Sequence, residues 1–379
     1  MRILHIIPSL SKGGAERLVI DIVKKLKHQD HIQVHLVIFR KDINHNISEI
    51  KNRISIIPSS VKLSLTKKWK INVTELQLFI NDFKPDIIHS HLFEAELVSR
   101  FCNYKNARWY SHLHDNMVQL ERLSWHSISK KNLTNFFEKL ILFLRYKKNG
   151  GTNFIAISKH TESYIKSIQS RYPVHLLHNA IDFYRFKKPL KYSKIKKIGN
   201  LSSIKYQPIK LINIGSFVTK KNQSLVLEII IELNKKGFKT YCLFLGDGEL
   251  KNELERRSIE LKISDQCNFL GNVENVEEYL WQSEVYLHTA TYEPFGLVLL
   301  EAMAAGLPVV TLDGGGNRDL MINGENGYLI EEQNPKKFSK RILQLYQNKE
   351  ISNYNVKFAG QFDIQSYCSK LLKIYKNQN

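Results

Sequence analysis

Two stretches of this 379-residue chain repeat one rhythm: a short apolar run, a glycine-bearing loop, then a helix-periodic segment. In the first, Arg2–Pro8 reads as a strand, Ser9–Gly14 as a loop and Ala15–Lys27 as a helix. Apolar runs recur at Val34–Phe39, Asp86–His89, Arg108–His112 and Phe154–Ile157, with helix-like stretches between them. In the second, strands are expected at Ile209–Ile214, Thr240–Leu245, Cys267–Leu270, Val285–Thr289 and Val309–Thr311. Helices are expected at Gln223–Asn234, Glu249–Leu261, Gly296–Ala305, Pro335–Asn348 and Gln365–Lys376. Alternating strands and helices make parallel sheets covered by helices on both faces. The expectation is therefore an α/β chain of two doubly wound, parallel-sheet domains.

Between the two series the lysines at 187, 188, 191, 194, 196 and 197 crowd together with two prolines and little apolar periodicity. Such a stretch reads as a link. The domains then run over residues 1–190 and 209–360, with a linker at 191–208. A C-terminal helix over 361–379 is expected to pack back on the first domain. Ligands of doubly wound sheets bind beyond the carboxyl ends of the strands, so the loops that follow strands hold the candidate chemistry.

Composition narrows the function classes. No stretch approaches the roughly 20 predominantly apolar residues of a bilayer span, and Met1–Pro8 lacks a signal peptide's apolar region and cleavage site. The four cysteines are far apart and form no CxxC pair, which argues against a disulfide framework and fits a reducing cytosol. The net charge is +20, and residues 1–200 carry 35 Lys+Arg against 15 Asp+Glu, so the remainder balances. A one-signed field draws anionic partners: nucleic acid, anionic lipid or phosphorylated substrates.

The densest signal is the stretch Tyr292–Val310, in which a strand ends, Glu293-Pro294-Phe295-Gly296 forms a loop, and a helix begins. Free backbone N–H groups and the helix dipole make that start an anion site, and Gly296 permits close approach of a ligand. Glu293 and Glu301 can line one mouth, where carboxylates accept from vicinal sugar hydroxyls. A second loop, Gly215-Ser216-Phe217-Val218-Thr219-Lys220-Lys221, also joins strand to helix. A lysine there reaches a phosphate as a point charge. Neither a P-loop nor a GxGxxG fingerprint is present. Gly13 and Gly14 open the first helix in the same manner. His112-Leu113-His114-Asp115 has the look of metal ligands, yet the sequence around it supplies no partner cluster, so hydrogen-bonding histidines are the preferred reading.

These motifs together resemble the retaining glycosyltransferases of family 4. The resemblance is carried by Gly13-Gly14-Ala15-Glu16, His114-Asp115, Ile155–Ser158, His178–Asp182, Gly215–Gln223, Gly246–Gly248, Phe269–Gly271 and Gly315-Gly316. Most of all it rests on the E-x7-E string from Glu293 to Glu301. It implies the GT-B fold, two Rossmann-like domains facing across a cleft. It also implies a hexosyl or N-acetylhexosaminyl transfer from a nucleotide sugar, UDP-linked by default, to a saccharide or lipid-linked acceptor. By resemblance His114, Lys221 and Glu293 form the catalytic set. Gly13, Gly14, Gly215, Ser216, Lys221, Val273, Glu293, Phe295, Gly296, Leu297, Val298 and Glu301 meet the donor. Glu301 takes the ribose hydroxyls and Lys221 the diphosphate.

No cofactor and no metal is expected, since Lys221 and the helix start supply positive charge and no Asp-x-Asp is present. Three departures stand out: Ser216 where the family often has arginine, Asp319 for its usual glutamate, and Ala180 for a common glycine. The basic first half suits a lipid-linked acceptor and an enzyme of bacterial surface polysaccharide assembly at the inner face of the plasma membrane; the helix 132–148 is a candidate membrane contact, with packing against the first sheet as its preferred reading. Two other readings stay open on the residues alone: a sugar-nucleotide epimerase on similar domains, and a basic nucleic-acid-binding protein, for which no recognition motif is found.

Overall fold

The computed structural model describes residues 1–120, 130–190, 208–346 and 348–376. Most of the expected linker, 191–207, lies outside the described residues. The chain divides into two units, Met1–Ala180 with Ile364–Asn379, and Ile181–Asp363.

The first unit holds a seven-stranded sheet and a hairpin. Its strands are β1 (Arg2–Ile7), β2 (Gln33–Ile38), β3 (Ile54–Ile56), β4 (Ser60–Lys62), β5 (Lys70–Asn72), β6 (Ile87–His91), β7 (Arg108–Leu113), β8 (Asn153–Ala156) and β9 (Val174–Leu176). The sheet order is β3-β2-β1-β6-β7-β8-β9, with β4 and β5 paired apart. Every ladder in the large sheet is parallel, and among the described residues only the β4–β5 hairpin is antiparallel. The helices are α1 (Gly14–Leu26), α2 (Thr74–Phe83), α3 (Leu92–Ser99), α4 (Lys130–Lys148) and α5 (Lys159–Ile168).

The period-2 alternation of strands explains why β1 is apolar nearly throughout. Ile3 and Ile7 enter one core, with Leu18, Ile22 and Leu26 of α1. Leu4 and Ile6 enter the core on the opposite face, with Leu76 and Ile80 of α2. A strand buried on both faces reads as a continuous apolar run, and His5 is the polar interruption in it.

The second unit begins with α6 (Phe183–Phe186). Its six parallel strands are β10 (Ile209–Ile214), β11 (Thr240–Leu245), β12 (Cys267–Gly271), β13 (Val285–His288), β14 (Val309–Leu312) and β15 (Gly327–Ile330). Their order is β12-β11-β10-β13-β14-β15, the doubly wound arrangement with its switch point between β10 and β13. Around them lie α7 (Ser224–Lys235), α8 (Lys251–Glu260), α9 (Val276–Leu280), α10 (Leu297–Ala304), α11 (Pro335–Leu345) and α12 (Lys349–Gly360).

Three features depart from the sequence reading. The first unit stops at Ala180 rather than 190. Residues 181–190 are tied into the second unit instead: the Ile181 N–H donates to the Phe362 carbonyl at 3.0 Å, Arg185 pairs with Glu277, and the Trp281 indole N–H donates to the Phe186 carbonyl at 2.6 Å. The helix expected over Pro335–Asn348 ends at Leu345, and a helix the sequence reading did not expect, α12, begins at Lys349, where Asn348 accepts from the backbone N–H of Glu350 and Ile351 and so caps it. The short strands β3, β4, β5, β9 and β15 went unread.

The last helix, α13 (Ile364–Tyr375), belongs to the first unit and buries Tyr367, Cys368, Leu371 and Tyr375. Among the described residues no helix is long and apolar enough to cross a membrane.

Candidate functional site

The switch point of the second sheet gathers the expected donor residues. At the carboxyl end of β10 the chain leaves through Gly215, exposed Ser216 and buried Phe217, then turns at Thr219–Lys221 into α7. At the end of β13 it leaves in the other direction toward α10. The diverging loops are stitched together: the Thr291 N–H donates to the Lys220 carbonyl at 2.9 Å and the Thr289 hydroxyl to the Lys221 carbonyl at 3.0 Å.

That stitching brings Lys221 and Glu293 into contact. Lys221 Nζ donates to Glu293 Oε2 at 2.7 Å, and the same oxygen lies 3.0 Å from His288 Nε2. Glu293 is only 8% exposed. Burial alone would raise its carboxyl, but Lys221 and His288 outweigh that and hold it well below the usual carboxylate range. Burial holds His288 below its ordinary value despite the carboxylate beside it. The Glu293 backbone is equally fixed: its N–H donates to the Gly314 carbonyl at 2.8 Å and its carbonyl accepts from Gly316 N–H at 2.9 Å. A Cβ on Gly316 would fall 1.7 Å from the Pro294 carbonyl oxygen, so only glycine lets these loops touch.

Gly296 follows with φ +100° and caps α10, a left-handed conformation that favours glycine. A glycine cap brings no side chain to the first turn's N–H groups, so the helix start keeps its anion-binding character. Phe295 is buried, while Leu297 and Val298 are half-buried at that start. Glu301 lies one turn further along α10. Burial raises the Tyr286 hydroxyl, and Glu293 and Glu301 both add to that, which brings the two carboxylates around one tyrosine. The arrangement offers a cation, a helix N-terminus and two carboxylates: groups that match, in turn, a diphosphate and sugar hydroxyls.

Other expected residues lie elsewhere. Val273 is half-buried in the loop after β12. Gly13, Gly14 and His114 belong to the first unit. Gly13 is the N-cap of α1 in extended conformation, and Glu16 of that helix accepts from Ser11 Oγ at 3.3 Å. Burial raises the Glu16 carboxyl. His114 follows β7 and is buried, its Nε2 standing 2.9 Å from His91 Nδ1.

The sequence reading missed two groups. His288 ends β13, and its signal was a polar residue at a strand's carboxyl end five positions before Glu293. The second is the partner cluster for His112 and His114. The fold supplies one that the local sequence does not: His5 on β1 and His89 and His91 on β6 lie on the same face.

Comparison with known proteins agrees over both units. The family described as "Glycosyltransferase Family 4" matches residues 12–185, and "Glycosyl transferases group 1" matches residues 196–361. The putative glycosyltransferase EpsF of Bacillus subtilis is 24% identical over 325 residues, covering 82% of this chain and 79% of its own. The lipopolysaccharide core biosynthesis glycosyltransferase LpsE of Rhizobium meliloti is 28% identical over 141 residues, 37% of this chain and 40% of its own. Among solved structures, Anabaena HepE in complex with UDP-glucose superposes with a TM-score of 0.77 at 20% identity, covering all of both chains.

Proposed function

The chain belongs to the glycosyltransferases, with the GT-B fold, and we propose that it moves a hexosyl or N-acetylhexosaminyl group from a UDP-sugar to a saccharide or lipid-linked acceptor with retention of configuration. One observation carries the reading: Lys221 and Glu293 meet at 2.7 Å at the switch point, beside the glycine-capped start of α10. UDP and UDP-glucose are the ligands named for HepE, which supports a uridine donor. The name of LpsE, a lipopolysaccharide core biosynthesis glycosyltransferase, supports a place in surface polysaccharide synthesis.

The mechanism follows from where charge develops. Breaking the sugar–phosphate bond makes the anomeric carbon positive and the departing diphosphate negative. Lys221 and the N–H groups at the start of α10 are fixed beforehand to meet that negative charge, so little reorganisation is needed. The diphosphate's charge is met by these groups rather than by a divalent ion. Glu293, held ionised, positions Lys221 and faces the donor sugar. Glu301 accepts from the ribose hydroxyls. The acceptor attacks on the face the diphosphate leaves, and the leaving phosphate takes its proton.

Donor binding tests this directly. A UDP-sugar at 100 times its dissociation constant adds about 2.7 kcal/mol to stability and raises the melting temperature. Glu301→Ala is expected to abolish that shift; full donor affinity in the variant would refute the assignment.

The acceptor side concerns the basic first half. Helix α4 packs Leu142 and Tyr146 into the core, yet it also presents Leu133, Phe136, Leu140 and Leu144 at 39–52% exposure along one stripe. Lys147 and Lys148 beside it are exposed. An apolar stripe flanked by lysines suits an anionic lipid surface, where each basic residue contributes about 1 kcal/mol. Leu140→Glu should weaken co-sedimentation with phosphatidylglycerol-containing vesicles roughly tenfold or more, since an apolar side chain's burial is worth about 1.5–3 kcal/mol. Unchanged sedimentation would remove α4 from the contact.

A further inference from the structure

Five histidines line one face of the first sheet. His5 sits on β1, His89 and His91 on β6, His112 on β7, and His114 just beyond its end. The parallel register pairs His5 with His89 and His91 with His112. Side chains two residues apart share a face, so the rings crowd together: His112 stacks on His114 at 4.2 Å and on His89 at 5.1 Å. All but His114 are completely buried, and His114 is 9% exposed.

Their hydrogen bonds do not use up their nitrogens. His5 Nδ1 meets His91 Nε2 at 2.9 Å, His91 Nδ1 meets His114 Nε2 at 2.9 Å, and His89 Nδ1 meets the Tyr375 hydroxyl at 2.5 Å. Neither ring nitrogen of His112 has a hydrogen-bond partner among the described residues. A buried polar atom without a partner costs about 1–3 kcal/mol. Burial keeps all five rings neutral, with His5 and His114 lowered to about 3 and the other three held well below the ordinary histidine value. A neutral imidazole keeps a lone pair for an ion.

We propose that His91, His112 and His114 form a binding site for a first-row transition-metal ion of the zinc type. One nitrogen from each lies within 4.8 Å of the other two. Zinc bound at about 2.0–2.1 Å spaces tetrahedral ligands by about 3.3 Å, so the rings need only small rotations. The donor set is all imidazole, which suits zinc, cobalt, nickel or copper and not the oxygen-seeking magnesium or calcium. The triad His5, His89 and His91 satisfies the same distance condition, but all three of its rings are completely buried and none of them meets solvent. The outer triad has three advantages. Its His112 has both nitrogens open, its His114 touches solvent and gives an entry path, and His5 orients His91 through the opposite ring nitrogen. Ligand histidines are usually held in this way.

One consequence rests on the glycosyltransferase reading, in which the family resemblance gives His114 a role in transfer: an ion held on its ring removes it from that role, so the site is inhibitory. The ion site itself does not depend on that reading. The experiment titrates the untagged, chelator-treated chain with zinc by calorimetry and with cobalt by visible absorption. We expect one equivalent bound, with the intense cobalt bands of tetrahedral nitrogen ligation. In H112Q, checked by circular dichroism for its fold, affinity should fall at least 100-fold. In H5N, where an orienting bond is lost, it should fall 10–100-fold. No uptake by the wild type, or uptake unchanged in both variants, overturns the site. Uptake that leaves donor turnover intact confirms the site and overturns only the role of His114 in transfer.

Discussion

Lys221→Ala should lower kcat about 10²–10³-fold at saturating donor, the usual loss when one preorganised charge partner of a transition state is removed. Lys221 is the side chain placed to take the charge of the departing diphosphate, and that charge grows as the bond breaks. The loss should therefore fall on kcat more than on the KM for donor. The substitution also strips Glu293 of its larger ionising partner, leaving a buried carboxylate with His288 alone. Removing one member of a buried pair costs a few kcal/mol, so the variant should also melt earlier. Lys221→Arg keeps the charge and should recover part of the rate. The check is steady-state kinetics on folded protein; a kcat within threefold of the wild type would contradict the role.

Acid should unfold the first unit at an unusually high pH. Histidine in an unfolded chain titrates near 6.5, whereas burial lowers all five histidines of the cluster, His5 and His114 to about 3. As pH falls through 6.5 the unfolded chain binds protons that the folded chain refuses. Stability present above 6.5 is then lost progressively toward the folded-state values. The slope approaches about 1.4 kcal/mol per pH unit for each such histidine. At pH 5 His5 and His114 alone remove roughly 4 kcal/mol, against a typical total of 5–15 kcal/mol. Glu293 lies in the second unit and, held low, costs that unit stability only as pH falls from the ordinary carboxylate range downward.

Tryptophan fluorescence and circular dichroism between pH 7 and 4 should show a transition above the carboxylate range. His112→Leu removes one titrating ring that has no hydrogen-bond partner among the described residues, and should move the midpoint down. Stability that is flat from pH 7 to 5 would contradict this account.

What could be read from the sequence followed its locality. Glu293, Gly296 and Glu301 sit in one contiguous strand–loop–helix, so spacing alone placed them together. Lys221 was recognisable as a loop lysine after a strand, and its contact with Glu293 follows from β10 and β13 being neighbours at the switch point. The histidines show the opposite case. The alternation of His89 with His91 and of His112 with His114 was visible, but their union depends on the strand order β1-β6-β7, a pairing between residues far apart in the chain. The boundary at Ala180 was hidden likewise, because Trp281 and Glu277 are what hold residues 181–190 in the second unit. Asn348 looked like the end of one helix and is the cap of the next.

The central claim is that the second unit grips an activated sugar so that it can be transferred. The measurement that meets it most directly is the stoichiometry of turnover with UDP-sugar and a saccharide or lipid-linked acceptor, run in the presence of a chelator. Nucleoside diphosphate should appear mole for mole with new glycoside of unchanged anomeric configuration, and Lys221→Ala should slow both together. Donor converted to an isomeric sugar nucleotide without diphosphate release, or turnover that stops until magnesium or manganese is added, would contradict it.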